Sequence, residues 1–213
     1  MGRRKGLPID GMLLLDKPGG LSSNTALQRA RRALGAAKAG HTGTLDPMAT
    51  GLLPLAFGEA TKFSQYLLDA DKVYQAELRL GVTTDTGDAE GEVIASCERR
   101  PDPEEILAAC CSFLGEVEQI PPMYSALKRD GKPLYEYARA GLEVPRQGRR
   151  VRIAAIDVLQ IEPDRFRCRV HCSKGTYIRV LAEDLGKVLG CGAHLTALER
   201  EAGRSRRGWR STT

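Results

Sequence analysis

No run of apolar residues in this 213-residue chain approaches the length of a membrane-spanning helix. The first residues, Met1 to Lys5, are basic, and no apolar stretch of signal-peptide length follows them, so the expected location is the cytoplasm. The glycines of residues 40–51 are not followed by Gly-Lys-Ser/Thr, which excludes a phosphate-cradling P-loop and with it nucleotide hydrolysis. The acids Asp85, Asp88, Glu90 and Glu92 lack the spacing of a calcium loop. Six cysteines are present, but Cys110 and Cys111 are adjacent in an apolar helical stretch that suits small buried thiols. Cys168, Cys172, Cys191 and His194 are spaced C-x3-C and C-x2-H; yet Cys168 and Cys172 fall in an alternating, strand-like run, and same-face cysteines on a strand make no zinc knuckle. Neither a metal nor a structural disulfide is expected, and no internal repeat is evident.

What is present bounds the rest. A hydrophobic content of 42% over 213 residues supports one large domain, or one domain with an inserted subdomain. The charge is unevenly spread. Residues 82–119 hold ten acids against Arg99 and Arg100, a balance of −8, so the remainder of the chain carries +13. Such asymmetry gives one strongly basic side, which is either a solvated face or the surface a polyanion needs.

Hydrophobic patterning mixes strands and helices without a strict βαβ rhythm. Met12 to Asp16 suits a strand, and Ser22 or Ser23 can cap a helix that stops at Gly35. Leu52 to Phe57 reads as a buried strand, Ala60 to Leu68 as a short helix, and Val73 to Leu80 as a half-buried strand. Pro103 to Leu114 is a helix with proline in its first turn. Val151 to Ile161 and Arg165 to Cys172 form a hairpin around Pro163-Asp164, and Ser173 or Thr176 starts a helix through Leu189. The expected class is α+β with a largely antiparallel sheet.

Residues 123–150 differ in kind. Lys128, Arg129, Lys132, Arg139, Arg146, Arg149 and Arg150 face only three acids, Tyr124, Tyr135 and Tyr137 are interleaved, and aliphatics are few. These are the ingredients of a surface for looped or single-stranded RNA, or of a plain solvated hairpin. The segment reads as an insertion that stays mobile until RNA binds.

The most informative stretch is Gly40-His41-Thr42-Gly43-Thr44-Leu45-Asp46-Pro47-Met48-Ala49-Thr50-Gly51. Its glycines and proline forbid a regular helix or strand, so a compact turn is expected, with His41 and Asp46 as its only ionisable side chains. An acid on a stiff Asp-Pro step either caps the next segment or serves as a nucleophile or general base. The wording closely resembles the signature of the TruB family, the bacterial tRNA pseudouridine-55 synthases. The resemblance continues through Leu14-Leu15-Asp16-Lys17-Pro18 with Ser22-Ser23-Asn24, Gly58-Glu59-Ala60-Thr61-Lys62 and Lys72-Val73-Tyr74. Thr84-Asp85-Thr86-Gly87-Asp88, the run Gln119 to Ala126, and Lys174-Gly175-Thr176-Tyr177-Ile178-Arg179 follow in family order. It covers nearly everything from Gly11 to about Arg200.

The resemblance implies the pseudouridine synthase fold: a mixed, largely antiparallel central sheet flanked by helices. It implies a catalytic domain over residues 1–200 with an RNA-clamping insertion at 123–150, followed by a divergent basic tail at 201–213. Relatives continue into a final helical portion and usually a small C-terminal RNA-binding domain, which this sequence is not expected to include. Arg200, Arg204, Arg206, Arg207 and Arg210 are therefore expected to supply phosphate contacts. The implied reaction is isomerisation of a uridine in the tRNA T loop, without cofactor or metal, by a monomer bound to the T-stem-loop. Asp46 is implied as the catalytic carboxylate, with Arg179 as its charge partner, Tyr74 stacking on the target uracil, and Tyr177 and Leu198 lining the pocket. The implied RNA-binding residues are His41, Asp88, Lys17, Lys128, Arg129 and Lys132. Two rivals are an RNA chaperone that refolds tRNA without turnover and an RNA-guided synthase of the dyskerin type.

Overall fold

The computed structural model describes residues 6–201, so the arginines at 204, 206, 207 and 210 lie outside the described residues. The chain divides into two compact units, one holding the residues up to Tyr74 and those from Glu199 onward, the other Gln75–Leu198.

In the first unit, β1 (Gly11–Lys17) leads to α1 (Ser23–Ala33), then β2 (Ala39–His41) and β3 (Thr50–Phe57). A 3-10 turn (Gly58–Phe63) and α2 (Ser64–Asp69) follow where one short helix was expected. Ser22 caps α1 by accepting from the Thr25 backbone N–H at 3.1 Å. Both β1 and β2 pair antiparallel with β3, whose Leu53, Leu55, Ala56 and Phe57 are fully buried. The strand at Met12 to Asp16 forms as expected, as an edge strand whose Met12, Leu13 and Leu14 are exposed. The strands also claim both ends of the Asp46 signature. Gly40 and His41 lie in β2 and Thr50 and Gly51 in β3, so the irregular turn is confined to residues 42–49. Gly51 explains its own identity: at φ +93° a side-chain carbon there would stand 2.3 Å from the Arg200 carbonyl oxygen.

The chain passes into the second unit along β4 (Lys72–Leu80). There β5 (Val82–Thr84) and β6 (Val93–Ser96) make a small antiparallel pair, followed by α3 (Pro103–Ser112) and β7 (Gly115–Gln119). The short strands β8 (Lys128–Arg129) and β9 (Lys132–Pro133) precede α4 (Leu134–Arg139). The long strands β10 (Arg149–Glu162) and β11 (Arg165–Cys172), α5 (Ile178–Val188) and β12 (Ala193–Arg200) complete it. Within this unit the sheet runs β12-β4-β11-β10-β7, with β10 antiparallel to both neighbours. At the far end of β12, Glu199 and Arg200 pair parallel with Thr50 and Gly51 in the first unit's own strand set, which makes the sheet mixed.

Alternation sets the core. Phe166, Cys168, Val170 and Cys172 of β11 are buried, while Arg165, Arg167, Arg169 and His171 occupy the other face. Burial pushes the Cys168 thiol up to about 12 and Cys110 up to about 11, so both behave as small apolar groups. Helix α3 starts at a capping box between Asp102 and Glu105 and packs against β10 and α5. Helix α5 begins later than Ser173 or Thr176 would place it. Tyr177 is the N-cap residue and makes no side-chain cap, and the Thr176 hydroxyl instead donates to the Ser173 carbonyl at 2.9 Å. No helix among the described residues is long and apolar enough to cross a membrane.

Residues 123–150 carry more structure than their composition suggested. Asp130 (φ +49°) and Gly131 (φ +80°) form the two-residue turn of the β8–β9 hairpin, the left-handed pair that matches strand twist. Leu134 is buried at the start of α4, and the Tyr137 hydroxyl donates to the Arg129 carbonyl at 3.2 Å.

Candidate active-site residues

The turn bearing Asp46 is pinned from two sides within the first unit. The buried Ser23 hydroxyl donates to the Leu45 carbonyl at 3.0 Å and accepts from the Leu45 N–H at 2.8 Å. The Lys17 ammonium donates to the carbonyls of Leu21 (2.7 Å), Pro18 (2.9 Å) and Pro47 (3.2 Å). Gly20 N–H reaches the same Pro47 oxygen at 2.8 Å, and Leu45 and Ala49 are buried beneath the turn. Asp46 is thus a half-buried acid between two anchored neighbours, an arrangement that limits the carboxylate's wander.

This geometry corrects the expectation for Lys17. Its side chain is 0% exposed and its ammonium is turned inward to three backbone oxygens, so it braces the turn and offers no surface charge to RNA.

His41 enters the turn half-buried, with a buried Nδ1 that has no hydrogen-bond partner. Burial holds its imidazole below the ordinary value; the Gly43 backbone opposes this and the Arg200 charge reinforces it. Tyr74 is half-buried on β4, two residues after Lys72, whose ammonium caps the carbonyls of Leu68 and Ala70 at 2.6 and 2.5 Å.

The second unit holds Arg179, Asp88, Tyr177 and Leu198. Arg179, 4% exposed on α5, points Nε at Asp88 Oδ2 (3.5 Å) and donates from Nη1 to Thr86 O (3.1 Å) and from Nη2 to Tyr124 O (2.7 Å). Asp88 is 3% exposed and also accepts from the Thr86 hydroxyl (2.6 Å) and the Glu90 N–H (3.1 Å). Its carboxylate is therefore engaged inside the fold, building the turn between β5 and β6 and orienting Arg179. Asp85 closes that turn, accepting from the Glu92 N–H at 2.8 Å. Burial raises the nearby Glu183 carboxyl above its usual range, with Asp184 and Asp88 adding and Lys187 and Arg179 opposing.

Tyr177 is held by two residues that sequence reasoning did not connect with it. Gln119, buried in β7, accepts from the Tyr177 N–H at 2.9 Å and donates to its carbonyl at 3.2 Å. The Arg149 guanidinium lies 4.5 Å above the Tyr177 ring and also donates to the Gly175 carbonyl. Leu198 is buried near the end of β12. Lys128, Arg129 and Lys132 are exposed on the β8–β9 hairpin, and Arg129 donates to the Pro145 carbonyl.

The profile described as TruB family pseudouridylate synthase (N terminal domain) matches residues 31–178. The tRNA pseudouridine synthase B of Aromatoleum aromaticum is 67% identical over 192 residues, covering 90% of this chain and 62% of that protein. The protein of the same name from Thiobacillus denitrificans is 65% identical over 194 residues, covering 91% of this chain and 65% of its own length. This chain thus spans just under two thirds of these relatives. Among solved structures, a chain of a Cbf5-Nop10-Gar1 complex superposes with a TM-score of 0.70 at 34% identity, covering 89% of this chain and 47% of that one. A chain of an H/ACA RNP bound to a substrate RNA containing 2'-deoxyuridine gives 0.67 at 27% identity, covering 94% and 52%. The matched span, from inside α1 to the first residue of α5, takes in the Asp46 turn, Asp88 and Tyr177, and the chain belongs to the TruB family of pseudouridylate synthases.

Proposed function

We propose that this chain converts a uridine in the T loop of tRNA, at position 55, into pseudouridine, acting in the cytoplasm as a monomer. Asp46 is the carboxylate that works on the target nucleotide. The observation that carries the reading is its placement: a half-buried acid on a turn braced by Lys17 and Ser23, in a chain two thirds identical to named tRNA pseudouridine synthases.

The chemistry fits what such a residue supplies. The N–C glycosidic bond of uridine breaks, the uracil turns while held, and a C–C bond forms between base and sugar. Substrate and product are isomers, so the atoms balance without oxidant, reductant or water. A fixed carboxylate attacks the base or sugar, or accepts a sugar proton. Tyr74 offers a flat face for a uracil swung out of its stack, and Tyr177 and Leu198 give it dry walls. Arg179 supplies the positive charge that keeps a carboxylate ionised as water leaves. His41 occupies space among the displaced bases, Asp88 acts by orienting Arg179, and Lys128, Arg129 and Lys132 meet phosphates of the T-stem-loop.

Incubation with unmodified tRNA, followed by chemical mapping of pseudouridine, tests the reading. One new pseudouridine in the T loop, lost in Asp46→Asn, is the expected result; no modification of any tRNA overturns it. The exposed basic hairpin also favours a second reading, a chaperone that opens and refolds the tRNA elbow. Refolding activity that survives in Asp46→Asn separates that role from turnover.

A further inference from the structure

Arg200 ends β12 with 5% exposure, and its guanidinium is only partly satisfied. Nε donates to the Leu52 carbonyl at 2.7 Å, which fixes the plane of the group. Nη1 lies over Gly43, 3.4 Å from where a side-chain carbon on that residue would stand. Nη2 is buried without an acceptor. The Arg200 charge is felt at the imidazole of His41, whose buried Nδ1 also has no hydrogen-bond partner.

A buried donor left unsatisfied costs about 1–3 kcal/mol, and more when charged. A charged donor left unpaired beside the Asp46 turn is a poor choice for stability alone, because an apolar side chain packs at that depth without penalty. The position is specific. His41 stands five residues before Asp46, and Leu52, which anchors Arg200, stands six residues after it. A guanidinium fixed at Nε, with a buried Nη2 left unpaired, is prepared for a ligand that brings its own oxygen lone pairs and negative charge. An RNA backbone phosphate next to the reacting nucleotide has this chemistry.

We propose that Arg200 binds one phosphodiester of the RNA beside the target uridine, a non-bridging oxygen accepting from Nη2. The contact secures the strand at the Asp46 turn, so that the uridine is drawn out against a fixed backbone. It rests on the isomerase reading above.

The test is a scan of T-stem-loop RNAs that each carry a single uncharged methylphosphonate linkage, with binding measured for the unsubstituted chain and for Arg200→Gln. At one linkage flanking the target uridine, neutralisation should weaken binding to the unsubstituted chain about tenfold and add almost nothing to the loss in Arg200→Gln. Arg200→Lys keeps the charge but loses the planar fork, and should restore part of the sensitivity at that same linkage. If Arg200→Gln does not fold, the scan on Arg200→Lys decides, because the penalty at that linkage must shrink. Equal penalties at every linkage in variant and unsubstituted chain, while the latter still makes pseudouridine, overturn the role of Arg200 alone. An unsubstituted chain that modifies no RNA overturns the isomerase reading and this one together.

Discussion

Gln119 grips the backbone of Tyr177 at both polar ends, accepting from its N–H at 2.9 Å and donating to its carbonyl at 3.2 Å. The two residues are 58 positions apart, so one side chain of β7 stands in for a strand partner at the entrance to α5. Replacing Gln119 by Leu leaves the Tyr177 N–H without a partner, while its carbonyl keeps the Leu181 N–H at 3.1 Å, and should lower stability by about 1–3 kcal/mol. Chemical denaturation measures this. Gln119→Glu keeps the acceptor and loses the donor, and should fall between the two; a loss below about 0.5 kcal/mol for Leu would mean water replaces the amide.

Asp46→Asn should abolish isomerisation while tRNA binding stays within about tenfold, or about 1.4 kcal/mol. Asparagine keeps the shape of the side chain but serves neither as nucleophile nor as base. Single-turnover assays together with binding titrations check both halves, and persistent turnover would remove Asp46 from the mechanism.

Residues 123–150 should exchange amide hydrogens readily in the free protein and become protected when T-stem-loop RNA is added. The β8–β9 hairpin is two residues per strand, too short to be stable on its own, and its bases need phosphates more than they need each other. Hydrogen exchange with and without RNA decides, and strong, equal protection in both states would identify a rigid element.

Glu183 should make the protein less stable as pH rises. Burial raises its folded-state pKa above the ordinary value of 4.5, so the folded chain holds this proton more tightly than the unfolded chain does. Its contribution is intact below the unfolded value and declines from there up to the raised folded value. Glu183→Gln removes the effect. The variant should gain stability over the unsubstituted chain above that window, and the gain should vanish in acid. Denaturation curves from pH 4 to pH 8, on the order of one per pH unit, trace it.

Much of the fold was legible because local chemistry and tertiary demand agree. Ser22 caps where a serine before an apolar period should, and the alternation in β11 puts its cysteines in the core. The signal for the β8–β9 hairpin was also present in Asp130-Gly131, although the basic composition around it pointed to a mobile insertion. The supports of the site were harder to see. Lysine belongs on surfaces by default, and only the convergence of three carbonyls explains a buried Lys17. The bracing of Tyr177 by Gln119, and of Arg179 by Asp88 and the Tyr124 carbonyl, joins residues distant in sequence. No periodicity encodes such pairings.

The burial of Lys17 gives the Asp46 turn a chemical clock. Amine-acylating reagents need a solvent-reached, unprotonated lysine, and this one is sealed with its protons committed to the Pro18, Leu21 and Pro47 carbonyls. Its labelling rate therefore counts the moments when the turn lifts off its support, against the fast reaction of Lys128 and Lys132 on the exposed hairpin as an internal standard. Read by mass spectrometry, that ratio reports the rigidity of the turn without any substrate and without a substitution.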